Sequence, residues 1–306
     1  MIKKENAPKP IVKWAGGKRQ LLTVLRDYYP KEYNIFIEPF VGGGAVLFDL
    51  QPKKAIISDL NSDLINCYEV VRDNNQNLIK AIAEHVEVMS SLETLDNKAT
   101  YYYQVRSLEP CKLSDIDKAA RFIFLNKTGF NGLYRENSKG EFNVPFGKRQ
   151  KTDGILDKEN LIQVSKYLND SDITILNQSY EETLKLAEEN DFVYLDPPYY
   201  PLKVESFIKY TKEDFGHKEQ IELALEFNKL TEKKIYAVLS NSNSPFVQYT
   251  YANYNMKVVE AARSINSVGS DRDKQPVEVI IDNERQTRTE SKQKRKRFRK
   301  QGTKTL

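Results

Sequence analysis

Three short segments of this 306-residue sequence carry residues suited to holding a reactive ligand. The first is Phe36-Ile37-Glu38-Pro39-Phe40-Val41-Gly42-Gly43-Gly44-Ala45, an apolar run leading through a glycine-rich turn into a helical pattern. Glycines let a backbone approach a ligand closely and adopt positive φ, and the N–H groups at a helix start have no partners within the helix. Asp59 follows 17 residues after Gly42, at the end of the next apolar run. An acid there can accept hydrogen bonds from two ribose hydroxyls. Taken alone, the same residues also suit a tight strand-to-helix turn with a capping acid. The spacing does not distinguish a dinucleotide from S-adenosylmethionine.

The second segment, Asp196-Pro197-Pro198-Tyr199, directly follows the apolar run Phe192-Val193-Tyr194-Leu195. Two prolines hold the backbone extended and lack N–H groups, so the Asp and Pro carbonyls stay available as acceptors. Acceptors beside an aromatic face suit a planar amine, with Tyr199 stacking on its ring. At the carboxyl end of a strand, this segment would face the same crevice as the glycine turn. The third segment, Lys13-Trp14-Ala15-Gly16-Gly17-Lys18, places the only tryptophan beside a Gly pair and two lysines. Such a turn could bring indole, backbone and ammonium onto a ligand with a carboxylate and an aromatic base; alone, it also suits ordinary packing.

The elements that must position these residues follow from periodicity. Strands are predicted at Asn34–Ile37, Lys54–Ser58, Ile173–Leu176, Phe192–Leu195 and Ile235–Ser240, with a hairpin formed by Met256–Ala262 and Val277–Ile281. Helical patterns lie at Gly17–Tyr29, Ala45–Leu50, Ser62–Asn74 and Thr211–Lys229. Strands alternating with helices and ending in a hairpin predict an α/β fold, mostly parallel, with helices on both faces. The stretch from about Leu78 to Gly154 breaks this rhythm. It carries helical segments at Leu78–Leu92 and Asp115–Asn126, then an irregular Gly/Asn/aromatic run from Lys127 to Arg149, and reads as a helical insertion with a functional loop.

These motifs, in this order, resemble those of the Dam-type (α-group, D12 class) DNA adenine-N6 methyltransferases. The likeness runs from Lys13 to about Asn283. It includes Phe124–Arg135, Gly140–Lys148, Leu239-Ser240-Asn241-Ser242 and Arg263-Ser264-Ile265-Asn266-Ser267. It implies a Rossmann-like S-adenosylmethionine-dependent methyltransferase fold, with a mostly parallel sheet, a C-terminal antiparallel hairpin and a helical target-recognition insertion. The implied catalytic domain is discontinuous, 1–62 and 157–284. Residues 63–156 form the target-recognition domain, and 285–306 a basic tail.

The same resemblance implies roles residue by residue. Trp14, Lys18, Glu38, Phe40, Gly42, Gly43, Gly44, Asp59 and Asp196 would contact S-adenosylmethionine. Asp196 and the Pro197 carbonyl would accept hydrogen bonds from adenine N6, with Pro198 and Tyr199 completing the catalytic tetrapeptide. Lys13, Asn126, Phe130, Asn131, Leu133, Arg135, Asn143, Pro145 and Lys148 would bind double-stranded DNA. Arg135 suits guanine O6 and N7, and the site implied is GATC. A methyltransferase acting on RNA adenine, or at another DNA site, is the alternative. Two positions depart from the family pattern: Phe130 stands where Tyr is common, and Lys148 where Arg is common.

Composition agrees with a cytoplasmic protein that needs no metal. No apolar run approaches the ~18 residues of a membrane span. With Cys67 and Cys111 the only cysteines and His85 and His217 the only histidines, a disulfide framework or zinc site is not expected. The cysteines read as ordinary reduced thiols, the histidines as solvated or capping, and Tyr101–Tyr103 as packing residues. The net charge of +4 is unevenly spread: Arg285–Leu306 holds ten Lys/Arg and one acid, leaving the first 284 residues at −5. The tail should lack a core of its own and serve as a phosphate-binding arm or a solubility tail. A cognate restriction endonuclease is a further expected functional partner.

Overall fold

The computed structural model describes residues 7–202, 215–260 and 277–284. The Arg263–Ser267 motif, the tail 285–306, the first residues of the expected Thr211–Lys229 helix and the last of the Met256–Ala262 strand lie outside them. Among the described residues there are seven strands: β1 (Phe36–Glu38), β2 (Lys54–Asp59), β3 (Asp172–Asn177), β4 (Phe192–Leu195), β5 (Tyr236–Ser242), β6 (Asn255–Glu260) and β7 (Val277–Asp282). They form one sheet in the order β3-β2-β1-β4-β5-β7-β6. The expected mostly parallel sheet and terminal antiparallel hairpin are both found, and β7 lies between β5 and β6.

The chain divides into two compact units. One comprises Met1–Asp27 with Val41–Ser179, the other Tyr28–Phe40 with Tyr180–Leu306. In the first, β2 and β3 pair in parallel from Lys54↔Asp172 to Asp59↔Asn177. Its helices are α1 (Ala45–Leu50), α2 (Ser62–Asp73), α3 (Asn75–Ser91), α4 (Leu95–Ser107), α5 (Asp115–Thr128) and α6 (Lys158–Asp170). Four begin at side-chain caps: Asn61, Thr94, Ser114 and Asp157 each accept a backbone N–H from three residues on. Helices α2 and α3 both pack on α5, where Phe124 and Leu125 are fully buried.

The helix expected over Gly17–Tyr29 is instead three short pieces: 3₁₀ turns at Lys18–Gln20 and Arg26–Tyr28 around a single α-turn, Leu22–Leu25. Pro30 disfavours α geometry at Tyr29, and 3₁₀ turns commonly finish such segments. His85 is half-buried and packed rather than capping a helix. It stacks on Phe124 at 4.9 Å, and its Nδ1 lies 2.7 Å from the Tyr101 hydroxyl. Burial pushes its pKa below the ordinary imidazole value. Cys67 is buried and Cys111 exposed, both as free thiols.

In the second unit β4 pairs in parallel with β1 and β5, while β7 runs antiparallel to β5 and β6. All four residues of β4 are buried, which explains an apolar run without alternation. Among the described residues, helices α7 (Tyr180–Leu184), α8 (His217–Glu232) and α9 (Pro245–Thr250) also belong to it. No described helix is long and apolar enough to cross a membrane.

Buried Asn283, 1% exposed, ties the end of β7 back to the start of β5. Its Oδ1 accepts from Ala237 N–H, and its Nδ2 donates to Ile235 O and Thr231 Oγ1. Asn283→Ala would leave these groups buried without their partner. We expect a loss of about 1–3 kcal/mol in unfolding free energy, measured by urea titration.

Candidate active site

In the first unit the glycine turn is closed by packing on both sides. Gly44 sits at φ +71 before α1, and a Cβ there would fall 2.6 Å from the Tyr68 hydroxyl and 2.9 Å from Phe48. Gly42 sits at φ +47 beneath the Trp14 indole, whose Cδ1 lies 2.6 Å from where a Cβ would stand. The Tyr68 hydroxyl donates to Gly42 O at 2.9 Å, so the turn is braced from α2 as well.

Asp59 ends β2 and locks onto this turn. Its Oδ2 accepts from Gly42 N–H at 3.1 Å and its Oδ1 from Asn61 N–H at 3.0 Å. Each carboxylate oxygen can accept a second hydrogen bond, which suits a pair of vicinal hydroxyls. Burial raises the Asp59 pKa above the ordinary carboxylate value, against the backbone N–H groups of Asn61, Gly42 and Leu60, which lower it. Of the other residues expected here, Lys18 is buried and donates from Nζ to Gly16 O.

The second unit holds the tetrapeptide at the carboxyl end of β4. Two consecutive prolines offer no N–H to a sheet, so side chains from neighbouring elements hold the segment instead. Gln220 of α8 donates from Nε2 to Pro198 O at 2.7 Å, and its Oε1 accepts from Asn241 Nδ2 at 3.0 Å. Asn241 Oδ1 accepts the N–H of Tyr200 at 3.0 Å. The Tyr199 hydroxyl donates to Glu278 Oε2 on β7 at 2.8 Å. Burial first, then the nearby Asp196 and Glu278 charges, push the Tyr199 phenol well up, so it stays protonated as that donor.

Within the same unit, Glu38 is buried at the end of β1, and Phe40 stacks on Tyr180 at 5.2 Å. Gln220, Glu278 and Tyr68 were not anticipated from sequence. The available signal was a polar residue inside an apolar pattern: Gln220 in step with Leu223, Ala224 and Phe227, and Glu278 within Val277–Ile281.

The loop expected to touch DNA is a braced hairpin within the first unit. Gly129 bridges Phe146, and Glu136 bridges Phe142. The Val144 carbonyl accepts from the Tyr102 hydroxyl at 2.9 Å and from Arg106 Nη1 at 3.1 Å. Buried Arg121 donates to Val105 O and Arg106 O, fixing that end of α4. Phe130, Asn131, Arg135, Pro145 and Lys148 are exposed, as is Lys13, while Leu133 and Asn143 are half-buried.

Asn143 Oδ1 accepts from Arg135 Nε at 2.6 Å, orienting the guanidinium. Asn126 departs from its expected role. It is 1% exposed and uses its amide on the backbone: it accepts from Lys13 N–H and donates to Lys13 O and Gly132 O. It therefore holds the loop rather than presenting a donor to DNA. Burial lowers the Lys127 pKa, and Lys13, Arg149 and Arg19 lower it further, against Asp157.

Gly44→Ala would force a side chain into the left-handed region and against the Tyr68 hydroxyl. Both effects destabilise. We expect a loss of about 1–3 kcal/mol in thermal or chemical unfolding, with Tyr68→Phe unable to relieve the strain at φ +71.

Comparison with known proteins agrees with this geometry. Residues 14–265 match the family model of D12 class N6 adenine-specific DNA methyltransferases. The Type II methyltransferase M1.LlaDCHI of Lactococcus lactis subsp. cremoris is 41% identical over 280 residues, 90% of this chain and 95% of that protein. M.MjaIII of Methanocaldococcus jannaschii, also a Type II methyltransferase, is 44% identical over 289 residues, 90% of this chain and 99% of its own length. The DNA adenine methylase of Escherichia coli K12 is 33% identical over 264 residues, covering 86% and 91% of the two chains. A turn built on Gly42 and Gly44, the Asp59 beside it and a proline-stiffened acceptor segment thus stand in a chain that belongs to the D12 class of N6 adenine-specific DNA methyltransferases.

Proposed function

We propose that this methyltransferase takes its methyl group from S-adenosylmethionine and delivers it to N6 of a flipped-out adenine in double-stranded DNA, within GATC. The observation that carries the chemistry is the Asp196–Tyr199 segment, braced by the side chains of Gln220, Asn241 and Glu278. Adenine N6 is a weak nucleophile because its lone pair is delocalised into the ring. Asp196 and the Pro197 carbonyl would accept its two N–H groups, drawing the nitrogen toward sp³ and freeing the lone pair for attack. Tyr199 would stack on the ring. Positioning and electrostatics then supply the rate.

The residues of the glycine turn fit the donor. Gly42–Gly44 would let the backbone approach its methionine portion, and Asp59 retains acceptor capacity for the ribose hydroxyls. Trp14, Lys18, Glu38 and Phe40 would complete the contacts. When bound, S-adenosylmethionine supplies an electrophilic methyl on a sulfonium. Because the reacting amine is hidden within a stacked duplex, base flipping is part of this reading.

Residues 63–156 would read the site. Arg135 would donate a bidentate pair to guanine, Lys13 would serve another guanine, and Leu133 and Pro145 would make apolar contacts. Phe130, 47% exposed, would wedge beside the displaced adenine, while Asn131 and Lys148 would bond a base edge or phosphate. The cluster of Lys127, Lys13, Arg19 and Arg149 supports phosphate binding, although residues 1–284 are net acidic. The Type II names of two relatives support a role beside a cognate restriction endonuclease.

The test is protection of unmethylated plasmid, incubated with protein and S-adenosylmethionine, against endonucleases that differ in tolerance of GATC methylation. Protection with N6-methyladenine at GATC is expected; unprotected sites and no N6-methyladenine elsewhere would overturn the reading. Asp196→Ala should abolish transfer. Arg135→Ala should weaken site discrimination by about 1–3 kcal/mol while transfer persists. Removing residues 285–306 should weaken DNA binding and flatten its salt dependence without changing the site, as measured by fluorescence anisotropy across salt concentrations.

A further inference from the structure

One aromatic side chain connects the base-reading loop with both walls of the donor cradle. Tyr134 immediately precedes Arg135. Its ring stacks on the Trp14 indole, with centroids 5.4 Å apart and planes 27° apart. That indole covers the glycine turn, with Cδ1 and Nε1 2.6 and 3.0 Å from the position of a Gly42 Cβ. On the other wall, the Asn61 side chain lies beside the Tyr134 hydroxyl. The backbone N–H of the same Asn61 holds Asp59 Oδ1 at 3.0 Å.

The ring is confined from its remaining sides. Phe122 of α5 lies 5.3 Å away and Phe142, on the opposite limb of the hairpin, 5.6 Å. The hydroxyl also donates to the Glu136 carboxylate. Backbones on both sides are fixed by one buried amide, since Asn126 bonds Lys13 on the Trp14 segment and Gly132 on the loop. A side chain packed this closely moves with its neighbours or changes to a second discrete arrangement; it does not deform gradually.

Resting on the proposed reading that Arg135 reads a base and the glycine turn holds the donor, we propose that Tyr134 is a positioning residue that couples DNA site recognition to donor binding through the Trp14 indole and Asn61. Seating Arg135 on its base shifts Tyr134, and Tyr134 resets the indole over Gly42 and the Asn61 contact beside Asp59. The coupling is reciprocal, because two ligands that bias the same arrangement must change each other's affinity by the same factor.

Trp14 is the only tryptophan in the chain, so its fluorescence reports on this stack directly. The experiment titrates the full-length protein with S-adenosylhomocysteine alone, with a short duplex carrying one GATC, and with the same duplex scrambled. The GATC duplex should change the S-adenosylhomocysteine affinity about tenfold and the scrambled duplex should not, with the same factor recovered when the duplex is titrated. Tyr134→Leu, which keeps apolar bulk but not the stack, should cut that factor below about twofold. Tyr134→Phe should retain most of it.

A wild-type factor of one, or an unchanged factor in Tyr134→Leu, overturns the coupling. Should Tyr134→Leu fail to fold, Phe142→Ala removes the ring backing Tyr134 and must also lower the factor; an unchanged factor there overturns the coupling equally. No binding of S-adenosylhomocysteine, or equal affinity for the two duplexes, overturns the underlying functional reading as well. Binding of both with a Tyr134-independent factor overturns the coupling alone.

Discussion

A segment with two successive prolines cannot be held by a sheet, and much of the second unit is arranged around that constraint. Pro197 and Pro198 have no N–H to donate, so continuing β4 through them would leave the neighbouring strand's acceptors without partners. Side chains take over. Gln220 from α8 reaches the Pro198 carbonyl, Asn241 at the end of β5 orients Gln220, and Glu278 on β7 takes the Tyr199 hydroxyl. Gln220 and Glu278 are polar residues within otherwise apolar patterns. Burying Gln220 and Asn241 is tolerable because their amide groups are bonded to each other or to the backbone.

The first unit meets a similar demand with aromatic rings and caps. Its glycine turn leaves no room for side chains at Gly42 and Gly44, and Trp14 and Tyr68 fill the adjoining space. The loop after α5 has almost no regular structure of its own. The Tyr102 hydroxyl and Arg106 hold its Val144 carbonyl, Asn126 holds Gly132, and Arg135 and Asn143 hold each other. The exposed Arg135 thus sits on a braced base. That lowers the conformational cost of using its remaining donors on any ligand.

Local pattern made part of this legible. Phe192–Leu195 and Ala45–Leu50 are found at the expected residues, because a short apolar run and a glycine-capped helix start are signals within a few residues of each other. Helices α4 and α6 were not anticipated. In α4 the run Tyr101-Tyr102-Tyr103 favours strand by propensity, and helix formation there depends on distant contacts such as Tyr102 with Val144 and Tyr101 with His85. The expected Gly17–Tyr29 helix differs for the opposite reason: the periodicity is present, but the chain breaks into 3₁₀ turns on either side of Leu22–Leu25, with Pro30 disfavouring α geometry at Tyr29.

By itself the sequence determined the chemistry-bearing groups: a glycine turn, an acid 17 residues on, and an acceptor tetrapeptide stiffened by proline. Those are properties of residue type and short spacing, set by backbone sterics and available donors. Only the tertiary structure decided which side chains support them. It made Asn126 an internal brace instead of a DNA contact, set Tyr134 against Trp14, and put Gln220 on Pro198. These pairings join residues from 6 to 120 positions apart, and they depend on the way packed helices and paired strands bring distant backbone together, which no local pattern encodes.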